Sequence, residues 1–276
     1  MAEGATPPLY PLTFYTDTAE IEILDAAEHI VAALRRGLPE LRVQKQTAAR
    51  CVIVGGGRSV LDHLAEIRAL YEDGARVLAV NKVHDWLLAN GIVPSQIVYE
   101  IGPIMGELDL KTDPRVTYYV CSLCHPSTFD ALAGRNVVLW HAAVPDERVM
   151  SFLQKTAHSV GGGTTTLGRS IPLGLVLGHR TFDIFGAESS FEGETHYFGT
   201  PDHCRESLDI WVKVNGAVAR KFTTARYLAK QAHDMRRFFL MHHAMFRCRF
   251  HGDGMLPYVH KTLFPEQYQE TINANA

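Results

Sequence analysis

The chain has 276 residues, 46% hydrophobic and 21% charged, with a formal net charge of −3. That is globular composition, enough for one large α/β domain with an appendage, and its mild acidity gives a duplex nucleic acid no electrostatic reason to bind. No apolar run approaches the roughly 18 residues of a membrane span, MAEGATPPLYPLTFYTDT lacks the basic start and apolar core of a signal peptide, and the five cysteines are odd in number, so a cytoplasmic protein with reduced thiols and no membrane partner is expected.

Residues 1–16 hold three prolines and little periodicity, and read as an extended arm. From Asp17 the apolar residues Ile21, Leu24, Ala27, Ile30, Val31 and Leu34 recur at spacings of three and four, which predicts a helix closed by Gly37 and Pro39. Short β-branched runs then alternate with helical patterns. Strands are predicted at 51–54, 77–81, 96–101, 116–122, 136–141 and 181–185, and helices at 59–71, 84–89, 127–132, 146–155 and 164–177. Alternation of this kind predicts a parallel sheet with helices on both faces, a Rossmann-like α/β fold. In such sheets ligands sit at the carboxyl ends of the strands.

The tail differs. LDIWVKVNGAVARKF, residues 208–222, places Asn215-Gly216 between two alternating runs, a strong hairpin signal. Thr223 or Thr224 is the expected cap of a long helix running to about Arg247, followed by HGDGMLPY, read as a lid or an acceptor-side loop turning at Asp253. The helix carries apolar residues on more than one face. Packing across the sheet is the blander reading; a homo-oligomer surface is the sharper one. The chain thus divides into an N-terminal arm and helix (1–49), a nucleotide-binding core (50–200) and a C-terminal hairpin and helical extension (201–276).

Two glycine-rich loops carry the chemistry. CVIVGGGRSV ends an apolar run in Gly55, Gly56 and Gly57 and continues through Arg58 and Ser59 into helical spacing. Glycines there let backbone approach a ligand, and the helix that follows presents N–H groups to an anion. The pattern is neither the full G-x-G-x-x-G fingerprint nor a P-loop, and a purely structural turn is the competing reading. SVGGGTTTLGRS repeats the theme with Gly162, Gly163, Thr164 and Thr165. Asn81, at a predicted strand end, either contacts a ribose or base or caps the next helix. CSLCH, residues 121–125, matches the haem-attachment pattern, but neither an export signal nor a second C-x-x-C accompanies it, so no metal is expected there.

VIVGGGRSVLDHLAEIRALYEDGARVLAVNKVHDWLLANGIVPSQIVYEIGP resembles the start of the 6-hydroxymethylpterin pyrophosphokinase MptE-like family, which includes the catalytic domain of the Maf flagellin glycosyltransferases. GGGTTTLGRSIPLGLVLGHRTFDIFGAESSFEGETHYFG resembles its second half, through Gly186, Glu188, Phe191, Gly193, Thr195 and His196. The likeness spans about residues 50–260 as an ordered set of weak motifs. It departs from the family at Gly102, where an Asp is usual, leaving Glu100 on the same strand face, and at Glu188, again in place of Asp.

The resemblance implies a nucleotide-dependent transferase. A Maf-type reading implies transfer of a CMP-activated sugar to a hydroxyl acceptor without an obligatory cofactor, with His196, His141 and Glu188 as catalytic candidates and His125 as a further one. A pterin-kinase reading implies ATP and Mg²⁺, with Glu100 and Glu188 as metal ligands and Arg58 and Arg169 on the phosphates. The missing Asp leaves a non-catalytic nucleotide-binding or assembly protein as a third reading. The nucleotide site would comprise Gly55, Gly56, Gly57, Arg58, Ser59, Asn81, Glu100, Gly102, Gly162, Gly163, Thr164 and Thr165.

Overall fold

A computed structural model describes residues 20–100, 110–144, 147, 151, 158–163, 165–191 and 207–269. The helix expected at 146–155 falls largely outside these residues. Among those described, no helix is long and apolar enough to cross a membrane.

The centre is an eight-stranded, all-parallel sheet. In chain order its strands are β1 (Cys51–Val54), β2 (Arg76–Val80), β3 (Gln96–Tyr99), β4 (Thr117–Cys121), β5 (Asn136–Ala142), β6 (Ser159–Val160), β7 (Thr181–Phe185) and β10 (Arg247–Phe250). In space the order is β10-β7-β1-β2-β3-β4-β5-β6. All four residues of β1 are buried, as a strand covered by helices on both faces requires. A separate antiparallel pair, β8 (Leu208–Val212) with β9 (Arg220–Thr224), forms the expected hairpin.

Among the described residues, seven helices flank the sheet: α1 (Glu20–Leu34), α2 (Leu64–Glu72), α3 (Val83–Ala89), α4 (Pro126–Ala131), α5 (Thr166–Val176), α6 (Arg226–His242) and α7 (Met255–Leu263). This is a Rossmann-like α/β fold. Helix α6 buries Leu228, Gln231, Ala232, Met235 and Phe239, spaced by three and four, along one stripe. In α5 the small residue Gly174 lets the helix settle on β7, since a Cβ there would lie 2.7 Å from the Phe182 ring. The 3₁₀ turn Arg58–Leu61 precedes α2, so the helix expected from residue 59 starts at Leu64.

Two corrections concern the tail. The long helix stops at His242, a short 3₁₀ turn follows, and residues 247–250 become β10, parallel to β7. Thr223 and Thr224 lie in β9 instead of capping α6; the Thr224 hydroxyl donates to the Ser189 carbonyl at 2.9 Å. Beyond HGDG lies α7, whose Met255, Leu256, Val259 and His260 are buried. Burying each large apolar side chain contributes about 1.5–3 kcal/mol, which holds this segment in the main fold.

From β1 the chain works outward through β2 to β6, then returns to place β7 on the other side of β1. The carboxyl ends of β1 and β7 therefore flank a topological switch point, where open α/β sheets leave a crevice.

Candidate functional site

The loops leaving β1 and β7 cross at close range. The Gly55 N–H donates to the Phe185 carbonyl at 2.8 Å and the Gly57 N–H to the Gly186 carbonyl at 3.0 Å. Gly186 has φ of 66°, a conformation that favours glycine. A Cβ on Gly55 would stand 2.5 Å from the Gly186 oxygen, and one on Gly57 2.8 Å from the Gly186 carbonyl carbon. The glycines thus serve first to let two strand-end loops interlock. Two of the loop's N–H groups are spent on protein carbonyls.

What the interlock presents is Glu188. Its side chain is buried and accepts a hydrogen bond from the Ser59 hydroxyl. A Cβ on Gly57 would lie 2.7 Å from the Glu188 carboxyl carbon, one on Gly252 3.1 Å from its Oε1, and one on Gly254 2.6 Å from its backbone oxygen. Loops after β1, β7 and β10 therefore all close on this one residue. On one side lies a cleft of ≈ 210 Å³ lined by Gly56, Gly57, Asn81, Thr165, Thr166, Glu188, Ser189, Ser190, Tyr227 and Gln231, among others. On the other lies a polar cleft of ≈ 760 Å³, which shares Glu188 and Ser190 and adds Ser59, His63, Arg220, Lys221 and Asp253. Hydroxyls, amides and one carboxylate line the smaller cleft, a set that suits a polyol or ribose better than a bare phosphate.

Asn81 is a bracket. It has φ of 51°; its Oδ1 accepts from the Glu100 N–H at 2.9 Å and its Nδ2 donates to the Thr166 hydroxyl at 3.2 Å. It joins the ends of β2 and β3 to the start of α5 while facing the smaller cleft. Lys82, not Asn81, is the cap position of α3. Thr165 caps α5, accepting from the Gly168 N–H at 3.2 Å.

Several expected residues lie elsewhere. Glu100 is paired with Arg169 in the interior. Burial pushes its carboxyl above the usual range, and the Arg169 guanidinium opposes that rise. Glu100 is thus tied to a cation of the protein's own and lines neither cleft. Gly162 and Gly163 line a separate groove beside α6, with Asp234 and Phe238; of that loop's described candidates, Thr165 faces the ≈ 210 Å³ cleft. His141 is buried on β5, its Nδ1 2.9 Å from the Ser122 hydroxyl and its Nε2 3.4 Å from Glu40. Four strand spacings separate β5 from β1, about 19 Å, so His141 does not share the cleft. Arg58 is exposed and lines neither cleft. Gly102, Thr164 and His196 lie outside the described residues.

The CSLCH stretch has a local explanation. Cys121 ends β4, Cys124 is buried with its thiol 3.8 Å from the Tyr99 carbonyl, and His125 caps α4 by accepting from the Ser127 N–H at 3.2 Å. Burial pushes the Cys121 thiol well up, so it is a poor thiolate donor. Residues not anticipated from the sequence include Thr166, Ser189, Ser190, Tyr227 and Gln231. Their only advance signal was position: each sits just after a strand or in the first two turns of a helix.

No family model matches the chain, and neither does any curated protein. Among solved structures the chain is similar to a MAf glycosyltransferase from Magnetospirillum magneticum AMB-1, with a TM-score of 0.63 and 17% sequence identity. The match covers 84% of this chain and 36% of that one, so this chain corresponds to about a third of the neighbour's length. Likeness at this identity establishes the shared α/β fold.

Proposed function

We propose that the protein is a transferase that moves a glycosyl group from a nucleotide-activated sugar, CMP-type in the first instance, to a hydroxyl acceptor. The observation that carries this reading is Glu188, held by Ser59 at the switch-point crevice between a hydroxyl-lined cleft and a larger polar one. The likeness of fold to a MAf glycosyltransferase supports it.

In this reading the smaller cleft takes the nucleoside and the larger cleft admits the acceptor. Glu188 accepts the proton of the acceptor hydroxyl. The oxygen forms a bond to the anomeric carbon as the bond from that carbon to the phosphate oxygen breaks, and the electron pair leaves with the nucleotide. His196 remains the candidate for assisting departure of the nucleotide. Glu100 is already engaged by Arg169, so of the two carboxylates that the diphosphate-transfer alternative calls on, Glu188 lines the smaller cleft and Glu100 does not.

The test is a thermal-shift panel of CMP, CDP, UDP, GDP, ADP and ATP, each with Mg²⁺ and with EDTA against the matching nucleotide-free control. A ligand at a hundred times its dissociation constant adds about 2.7 kcal/mol, several degrees for a chain of this size. Stabilisation by a pyrimidine nucleotide in EDTA is the expected result. Stabilisation by ATP only with Mg²⁺ would replace this reading with diphosphate transfer, and no shift at all would replace it with the non-catalytic one. Glu188→Gln is expected to keep nucleotide binding within a few-fold while lowering turnover by about 10²-fold or more.

A further inference from the structure

Beside the larger cleft, three potential metal ligands converge that the proposed transfer does not use. His63 stands just before α2 and Glu66 in its first turn, so the two share a helix face. His251 follows β10, and its backbone N–H is anchored on the Ile184 carbonyl at 2.8 Å. One ligating atom from each of the three lies within 4.8 Å of the others. His63 Nδ1 is 3.1 Å from Glu66 Oε2, and His251 Nδ1 is 3.1 Å from Glu66 Oε1. A tetrahedral ion with bonds near 2.0–2.1 Å has ligand-to-ligand edges of about 3.3 Å; the two 3.1 Å spacings end on different oxygens of Glu66, and each is close to one such edge.

The decisive detail lies behind the cluster. His251 Nε2 is 3.0 Å from Asp183 Oδ1, and Asp183 is buried within β7 with Arg50 3.4 Å from its other oxygen. The His251 ring also stacks on Phe185 at 4.0 Å, which fixes its plane. A ring that donates Nε2–H to Asp183 turns the Nδ1 lone pair toward Glu66. A lone pair and a carboxylate oxygen 3.1 Å apart repel unless a cation lies between them, either a second proton on the ring or a metal ion. Carboxylate behind histidine, with histidine aimed at the ion, is the usual outer support of a metal-bound imidazole.

We propose that His63, Glu66 and His251 bind one zinc-class divalent ion, oriented by Asp183. Two imidazoles and one carboxylate suit zinc and its transition-metal neighbours, whereas magnesium favours oxygen ligands. Three protein ligands leave a fourth position for water or a ligand group. His63 lines the ≈ 760 Å³ cleft, so the cluster adjoins the space that Glu188 also lines.

The test needs no nucleotide, so its failure is separable from failure of the glycosyl-transfer reading. The full-length chain is stripped with chelator, then titrated with Zn²⁺ alone against a chromogenic chelator, and with Co²⁺ alone by visible spectroscopy. Expected are one ion per chain and the d–d absorption of a low-symmetry Co²⁺ site. His63→Gln and Glu66→Gln alter partly exposed side chains, so circular dichroism in EDTA should match the wild type while stoichiometric binding is lost. Asp183→Asn should keep one site and weaken it 10–100-fold. Failure of the wild type to compete for zinc, or wild-type binding by both His63→Gln and Glu66→Gln, would overturn the site and leave the cluster as a proton-bridged triad.

Discussion

At the scale of single residues, the glycine loop shows how one residue type serves two purposes. Gly57 has no room for a methyl group: a Cβ would lie 2.7 Å from the Glu188 carboxyl carbon and 2.8 Å from the Gly186 carbonyl carbon. Gly161, in the other glycine-rich loop, has nothing within 4 Å of a Cβ. Gly57→Ala is therefore expected to cost about 1–3 kcal/mol through overpacking and to displace Glu188. Gly161→Ala should stay within about 0.5 kcal/mol. Urea denaturation of the two variants checks this; equal effects would mean that the loops do not interlock. The sequence pointed to Gly55–Ser59 because glycines after an apolar run are a local signal. It could not show that the Gly55 and Gly57 N–H groups are committed to β7-side carbonyls, because that depends on residues about 130 positions away.

At the scale of elements, the hairpin was legible because its turn chemistry is local. Asn215 and Gly216 have φ of 45° and 79°, and the Ala217 N–H closes on the Val214 carbonyl at 2.9 Å. β10 was not legible: RCRF is four residues long, follows a helix with a 3₁₀ turn between them, and buries only Cys248 and Phe250. The hairpin is tied down at one corner, where the Arg220 guanidinium donates to both Asp253 carboxylate oxygens at 2.7 Å and lies 4.9 Å from the Phe222 ring centroid. That pairing holds the Asp253 carboxyl below its usual range. Asp253 is largely exposed, so the pair contributes under about 1 kcal/mol to global stability. Its effect should be local. Arg220→Ala is expected to leave the denaturation midpoint nearly unchanged while amide exchange in residues 208–224 quickens. A large loss of global stability would instead make the corner part of the main cooperative unit.

At the scale of the whole molecule, alternating strands and helices were enough to specify a parallel α/β sheet, and the rule that ligands gather at carboxyl strand ends directed attention to Gly55–Ser59 and Asn81. Strand order was not available, since nothing local in residues 181–185 says that they pair with 51–54. The same long-range packing creates a test of the intact fold. His260 on α7 is buried between Cys248 and Tyr268, 3.0 Å from the Sγ and 2.9 Å from the hydroxyl, and ringed by Phe239, Phe250 and Phe264. Burial pushes its pKa down from 6.5 to about 3. A histidine held neutral in the fold leaves the unfolded chain binding more protons between these two values. Stability is then complete above about pH 6.5 and falls as the solution is acidified toward pH 3. Burial lowers His141 and His179 in the same direction, while the raised Glu100 opposes them at pH values just above 4.5. The His260 share is isolated by comparison with His260→Gln. Between pH 7 and pH 5 the wild type should lose about 2 kcal/mol more than the variant, read from urea midpoints at each pH. Parallel losses in the two proteins would mean that His260 takes up its proton inside the fold, and that the contact between α7 and β10 is looser than its aromatic packing requires.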